Sequence, residues 1–124
     1  MAMAGEKNRL ISADKVEGTA VYNAKGEDLG HISEIMIDKV SGEVAYVVLK
    51  YGSVMGMGGK LFALPWDILK YNTRFGGYVV DIPEERLKNA PSFDADNPPD
   101  MADPSWNKQI HDYYGSSATW YEKA

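Results

Sequence analysis

The feature that most constrains this chain is a strand-turn-strand run from Gly18 to Lys50, followed by a glycine-rich stretch and then Leu61-Phe62-Ala63-Leu64-Pro65-Trp66. Residues 18–22 read as a short strand and residues 23–26 as a turn. An asparagine starts such turns through its side chain, and Gly26 can take the positive φ that closes them. Residues 29–38 alternate imperfectly, with Ile32, Ile35, Met36 and Ile37 around Ser33 and Glu34, which predicts a bulged strand. After a turn over 39–43, residues 44–51 are apolar on both faces: Val44, Tyr46 and Val48 on one, Ala45, Val47 and Leu49 on the other. A strand dressed on both sides needs a core on one face and a cover on the other. The tail of the chain or a second subunit would supply that cover.

Residues 60–65 are extended again, with Phe62 and Leu64 facing one way and Leu61 and Ala63 the other, until Pro65 ends the ladder. Residues 67–71 read as extended or turn-like, and residues 77–82 as the last strand. Turn signals every ~8 to 12 residues with short strands between them indicate an all-β barrel or sandwich. Upstream, residues 1–15 read as a flexible lead-in with one short strand at Leu10-Ile11. Downstream, Pro83-Glu84-Glu85-Arg86-Leu87 is one helical turn, with the proline at its first position and acids near the positive end of its dipole. The composition then shifts. Residues 93–103 form an acidic, proline-rich linker, and residues 104–124 an amphipathic helix with an aromatic tail. Asp103 can cap that helix, Pro104 can open it and Gly115 can end it. Trp106, Ile110, Tyr113 and Tyr114 share one face, and Trp120 and Tyr121 lie beyond the glycine.

Charge and composition narrow the function. A formal net charge of −5 with dispersed Lys and Arg argues against direct nucleic-acid binding, which needs clustered cations. With no cysteine there is neither a disulfide frame nor a thiol nucleophile. The N-terminal residues lack the apolar run of a signal peptide, and no run approaches the ~18 apolar residues a membrane helix needs, so membrane insertion is not expected and the cytoplasm is. A folded part of about 80 residues sits where one core gives only a few kcal/mol, so self-association or a docked tail is expected to add stability.

Candidate chemistry falls to its spacing. Gly56-Met57-Gly58-Gly59-Lys60 lacks the upstream glycine and following Ser/Thr of a phosphate loop, whose positions hold Val54 and Leu61. It reads as a hairpin tip whose Val54, Met55 and Met57 offer an adaptable contact surface. Asp94-Ala95-Asp96-Asn97 starts like a calcium loop, but Pro99 and Ser105 stand where glycine and a bidentate acid are required. His31 and His111 make a weak zinc set and take structural roles, His111 near a helix end that favours positive charge. Glu84 and Glu85 point apart and fail as an acid/base pair, and no serine sits in a nucleophile elbow. No enzyme, metal or cofactor is expected.

Val21-Tyr22-Asn23, Gly26 to Ile32, Ile37-Asp38, Gly42 to Leu49, Leu64-Pro65-Trp66 and Tyr78 to Pro83, in this order, resemble the PRC-barrel family over residues 16–92. That family is named after the cytoplasmic domain of a photosynthetic reaction-centre protein. The tail from Trp106 to Tyr121 is similar to that of stand-alone bacterial members labelled stress-related. The resemblance implies a small, partly open antiparallel β-barrel of about six strands, used for docking and assembly and without shared catalytic residues. The expected function is therefore a non-enzymatic interaction module that self-associates, a dimer being favoured, and docks a protein partner. Tyr46, Trp66, the tip residues Val54, Met55 and Met57, and the tail residues Trp106, Ile110, Tyr113, Tyr114, Trp120 and Tyr121 are its candidate contacts. Two alternatives follow from fold analogy: a quinone-proximal or small-molecule accessory module for electron transfer, and a ribosome-associated assembly factor. A buried carboxylate cluster leading into the barrel would favour the first.

Overall fold

A computed structural model of the chain describes residues 10–52 and 60–116. Six strands form one sheet: β1 (Ala20–Asn23), β2 (Asp28–Ile37), β3 (Val44–Tyr51), β4 (Lys60–Pro65), β5 (Lys70–Asn72) and β6 (Gly77–Val80). Their spatial order is β4-β3-β2-β1-β6-β5, so the sheet stays open, with β4 and β5 at its edges. Three helices accompany it: α1 (Ala13–Val16), α2 (Glu84–Lys88) and α3 (Pro104–Tyr114).

The six strands match the sequence reading, with one correction. The ladder is not wholly antiparallel, because β1 pairs parallel to β6, Val21 opposite Tyr78 and Asn23 opposite Val80. A hairpin cannot join parallel neighbours, and here the whole run from β2 to β5 forms the crossover between them. Every other pairing is antiparallel. The expected strand at Leu10-Ile11 is absent. Leu10 is 87% exposed, and the chain instead forms α1, which buries Val16. The stretch after Pro65 is a 3-10 turn over Trp66–Ile68 before β5 begins.

Local chemistry explains the turns. Asn23 Oδ1 accepts from the backbone N–H of Lys25 and of Glu27, and Gly26 sits at φ 85°. Asp38 does the same at the next turn, accepting from Val40 N–H and the Ser41 hydroxyl, and Gly42 sits at φ 83°. The expected irregularity in β2 is real: its register against β3 shifts between Ile32 and Glu34 and again between Met36 and Ile37.

β3 is the centre of the molecule. Ala45 to Leu49 are buried without interruption, as its two-sided apolar pattern requires. Val47 and Leu49 join Val21, Leu29, Ile32, Phe62, Leu64, Val80 and Leu87 in one core cluster. The sequence reading of β4 is modified here, since Phe62, Ala63 and Leu64 are all buried and only Leu61 is partly open. The residues after α2 are anchored at both ends. Phe93 pairs with Leu61 on the edge of β4 through reciprocal backbone bonds of 3.1 and 2.9 Å. At the other end, Met101 O accepts from Asn107 Nδ2 of α3 at 3.0 Å.

Candidate interaction surface

α3 starts and stops as its sequence dictates. Asp103 Oδ1 accepts from Ser105 N–H at 2.9 Å, Pro104 opens the helix, and Gly115 closes it at φ 66°. That cap, first through the Ser105 N–H, holds the Asp103 carboxyl below its ordinary range. The helix folds back on the sheet. Tyr46 of β3 is 0% exposed beneath it, its hydroxyl donating to Asn107 Oδ1 and its ring lying 5.2 Å from Trp106 and 5.5 Å from His111. Tyr46 is thus shielded from any partner while α3 is docked.

The buried stripe of α3 is Asn107, Ile110, His111 and Tyr114, with Trp106 and Tyr113 packed on its flanks. The sequence reading placed the aromatics and Ile110 on this face, gave His111 a structural role only at the helix end, and passed over Asn107. The signal for Asn107 and His111 was positional: both fall at helical spacing from Ile110 and Tyr114, but an apolar pattern passes over polar members. Asn107 is a hub, since its Nδ2 also donates to Asp103 O at 2.9 Å while its Oδ1 takes the Tyr46 proton. The favoured positive charge on His111 is a correction. The ring is buried, and burial lowers its pKa against the opposing pull of Asp67 and Asp112. Its Nδ1 lies 2.8 Å from Ser116 Oγ, and that hydroxyl donates to Asp67 Oδ1 at 2.6 Å.

Two further ties hold the helices. Arg86 lies 4.5 Å from the Tyr113 ring centroid and its guanidinium donates to Tyr113 O, while the Tyr113 hydroxyl donates back to Arg86 O at 2.6 Å. The Tyr51 hydroxyl donates to Glu84 Oε2 at 2.6 Å, and burial together with that carboxylate pushes its pKa up to about 12.

Trp66 stands elsewhere, in an aromatic row at the β5 edge. Its ring lies 5.6 Å from Tyr78, which lies 5.3 Å from Tyr71, and Tyr71 is 53% exposed. Val54, Met55, Met57, Trp120 and Tyr121 fall outside the described residues. The candidate contacts are therefore not one patch. Tyr46, Trp106, Ile110, Tyr113 and Tyr114 come together at the α3 seam, and Trp66 lies in the β5 row.

Among the described residues, no group of three His, Cys, Asp or Glu side chains is placed to hold a metal ion. No helix among them is long and apolar enough to cross a membrane. The buried polar side chains there are Asn23, Asn107 and His111, with no carboxylate in the barrel interior.

A model of the PRC-barrel domain matches residues 8–87. The chain belongs to the PRC-barrel domain family. No curated protein matches the chain. Among solved structures, it is similar to a protein assigned to 16S ribosomal RNA processing, RimM from Pseudomonas aeruginosa, at 16% identity and a TM-score of 0.45. That similarity covers 64% of this chain and 48% of the other, so the chain spans about half of that protein's length. The PRC-barrel match ends before Phe93 and α3, so the covering layer of the sheet lies outside the matched residues.

Proposed function

We propose that this PRC barrel is a non-enzymatic cytoplasmic interaction module that self-associates and docks a protein partner. The observation that carries this reading is the aromatic row on the open β5 edge, in which Tyr71 is exposed above the buried Tyr78 and the partly buried Trp66. Tyrosine and tryptophan supply large, stiff contact area and are enriched where binding energy concentrates. An unpaired strand edge adds backbone donors and acceptors to the same surface. The buried carboxylate cluster that would favour the quinone-proximal alternative is not found among the described residues.

Light scattering of the full chain and of a Tyr71→Glu variant, paired with capture from native extract, tests the module. A dimer mass or a specific captured protein, either reduced by the substitution, supports it. A monomer that captures nothing overturns it. Capture of ribosomal particles would turn the reading toward ribosome-associated assembly.

A further inference from the structure

Between β2 and the segment from Phe93 to Met101 runs an elongated open groove. Its larger lobe, about 430 Å³, runs between Met36 and Leu61 on one side and Phe93, Pro99 and Met101 on the other. A second lobe of about 240 Å³ shares Met36 and Met101 and continues past Ile37 toward the β2–β3 turn. Ile37 is 54% exposed there, so the apolar surface runs on beyond the groove. We infer that this groove docks a basic segment of a partner protein, with an aliphatic or aromatic side chain seated between Met36 and Met101 and Lys or Arg on either side. The inference rests on the module reading above and gives its partner a chemistry.

The floor and the rim each argue for part of that description. The apolar floor common to both lobes is Met36 and Met101, and methionine adapts its shape to whichever apolar anchor enters. The groove is open along its length, which suits a length of chain better than an enclosed small molecule. Its charged lining is Glu34, Asp38 and Asp100 against one lysine, Lys39. Asp94 and Asp96, both exposed, extend the acidic wall along the same segment. The Ser41 hydroxyl and then the Val40 N–H hold the Asp38 carboxyl below its ordinary range, so it stays charged. Such a rim attracts a basic segment and fixes its register. It repels nucleic acid and anionic membrane surfaces, whose charge has the same sign. One wall lies beyond the residues matched to the family.

The test is selection from a random dodecapeptide library displayed on phage against the immobilised full chain, followed by titration of the selected peptides. Selected peptides should carry Lys or Arg around an apolar residue. Two variants then probe the groove. Met101→Ser removes half of the floor and leaves the backbone carbonyl that Asn107 uses. Glu34→Gln with Asp100→Asn removes two rim charges and keeps the acceptor that Asp100 offers Ala102 N–H. Affinity should fall about tenfold for the floor variant and about threefold for the rim variant, the rim effect shrinking in high salt. A selection without basic enrichment overturns the inference, as does equal binding of selected peptides to both variants. Protein capture from extract that survives both variants would leave the module standing and remove only the groove.

Discussion

At the residue scale, single positions carry the fold through contacts that no side-chain average describes. Gly30 sits at φ 140°, and a Cβ built there would lie 2.1 Å from the Lys50 carbonyl oxygen of the neighbouring strand. Backbone cannot yield as a flexible side chain would. Gly30→Ala is expected to cost about 3 kcal/mol or more, read as a lowered urea midpoint or as failure to fold. Asn107 is a second such position. Asn107→Ala leaves the Tyr46 hydroxyl and two carbonyls, of Met101 and Asp103, without this partner in a buried seam. A loss of about 2–4 kcal/mol follows, seen in urea unfolding and in faster amide exchange along α3. The glycine was visible in the sequence as part of the Gly26 to Ile32 run; the reason for it was not, because Lys50 meets it only once β2 and β3 pair.

At the element scale, α3 is held by an acid-sensitive seam. His111 is packed against the Tyr46 ring, with Ser116 and Asp67 on one side and Asp112 on its own helix. Burial lowers its folded pKa below the ordinary 6.5, so the unfolded chain binds the proton first as pH falls. Stability from this site is therefore full above pH 6.5 and drains away below it, levelling once the folded ring also titrates. The urea midpoint should fall between pH 7 and pH 5 in the native chain and flatten in His111→Gln. Equal slopes would show that another group governs the seam. Arg86→Ala should loosen the same helix by about 1 kcal/mol, by removing the cation over Tyr113 and its bond to the Tyr113 carbonyl. The helix itself was legible from Asp103, Pro104 and Gly115, since caps are local chemistry. Its polar anchors were not, because Asn107 and His111 acquire meaning only against Tyr46.

At the scale of the whole molecule, the open sheet leaves two edges of unequal character. Pro65 ends β4, and the Phe93 bridge occupies part of its outer side. β5 is only three residues long, with Tyr71 exposed upon it. Short edge strands limit indiscriminate pairing while still allowing a specific contact. Removing residues after Asn89 would strip both the Phe93 bridge and α3, uncovering Tyr46 and the outer side of β4. The truncated chain is expected to aggregate or to lose several kcal/mol of stability, tested by light scattering and thermal unfolding. A truncated chain as stable and soluble as the full one would show that the covering layer contributes little to the fold.

The strands of the sheet other than β5, the turns between β1 and β3 and the caps of α3 follow from sequence alone, because alternation, Asn23, Asp38, Asp103 and Gly115 act over a few residues. A cover for β3 was also required from the start, since Tyr46 and Val48 could not remain in water beside Val47 and Leu49. What that cover is for Tyr46 emerged only on folding: α3 of the same chain, hydrogen-bonded through Asn107. The parallel β1–β6 pairing, the neutral state favoured for His111 and the groove between Met36 and Met101 emerged there too. Each depends on residues tens of positions apart meeting in space, and no local pattern records such a meeting.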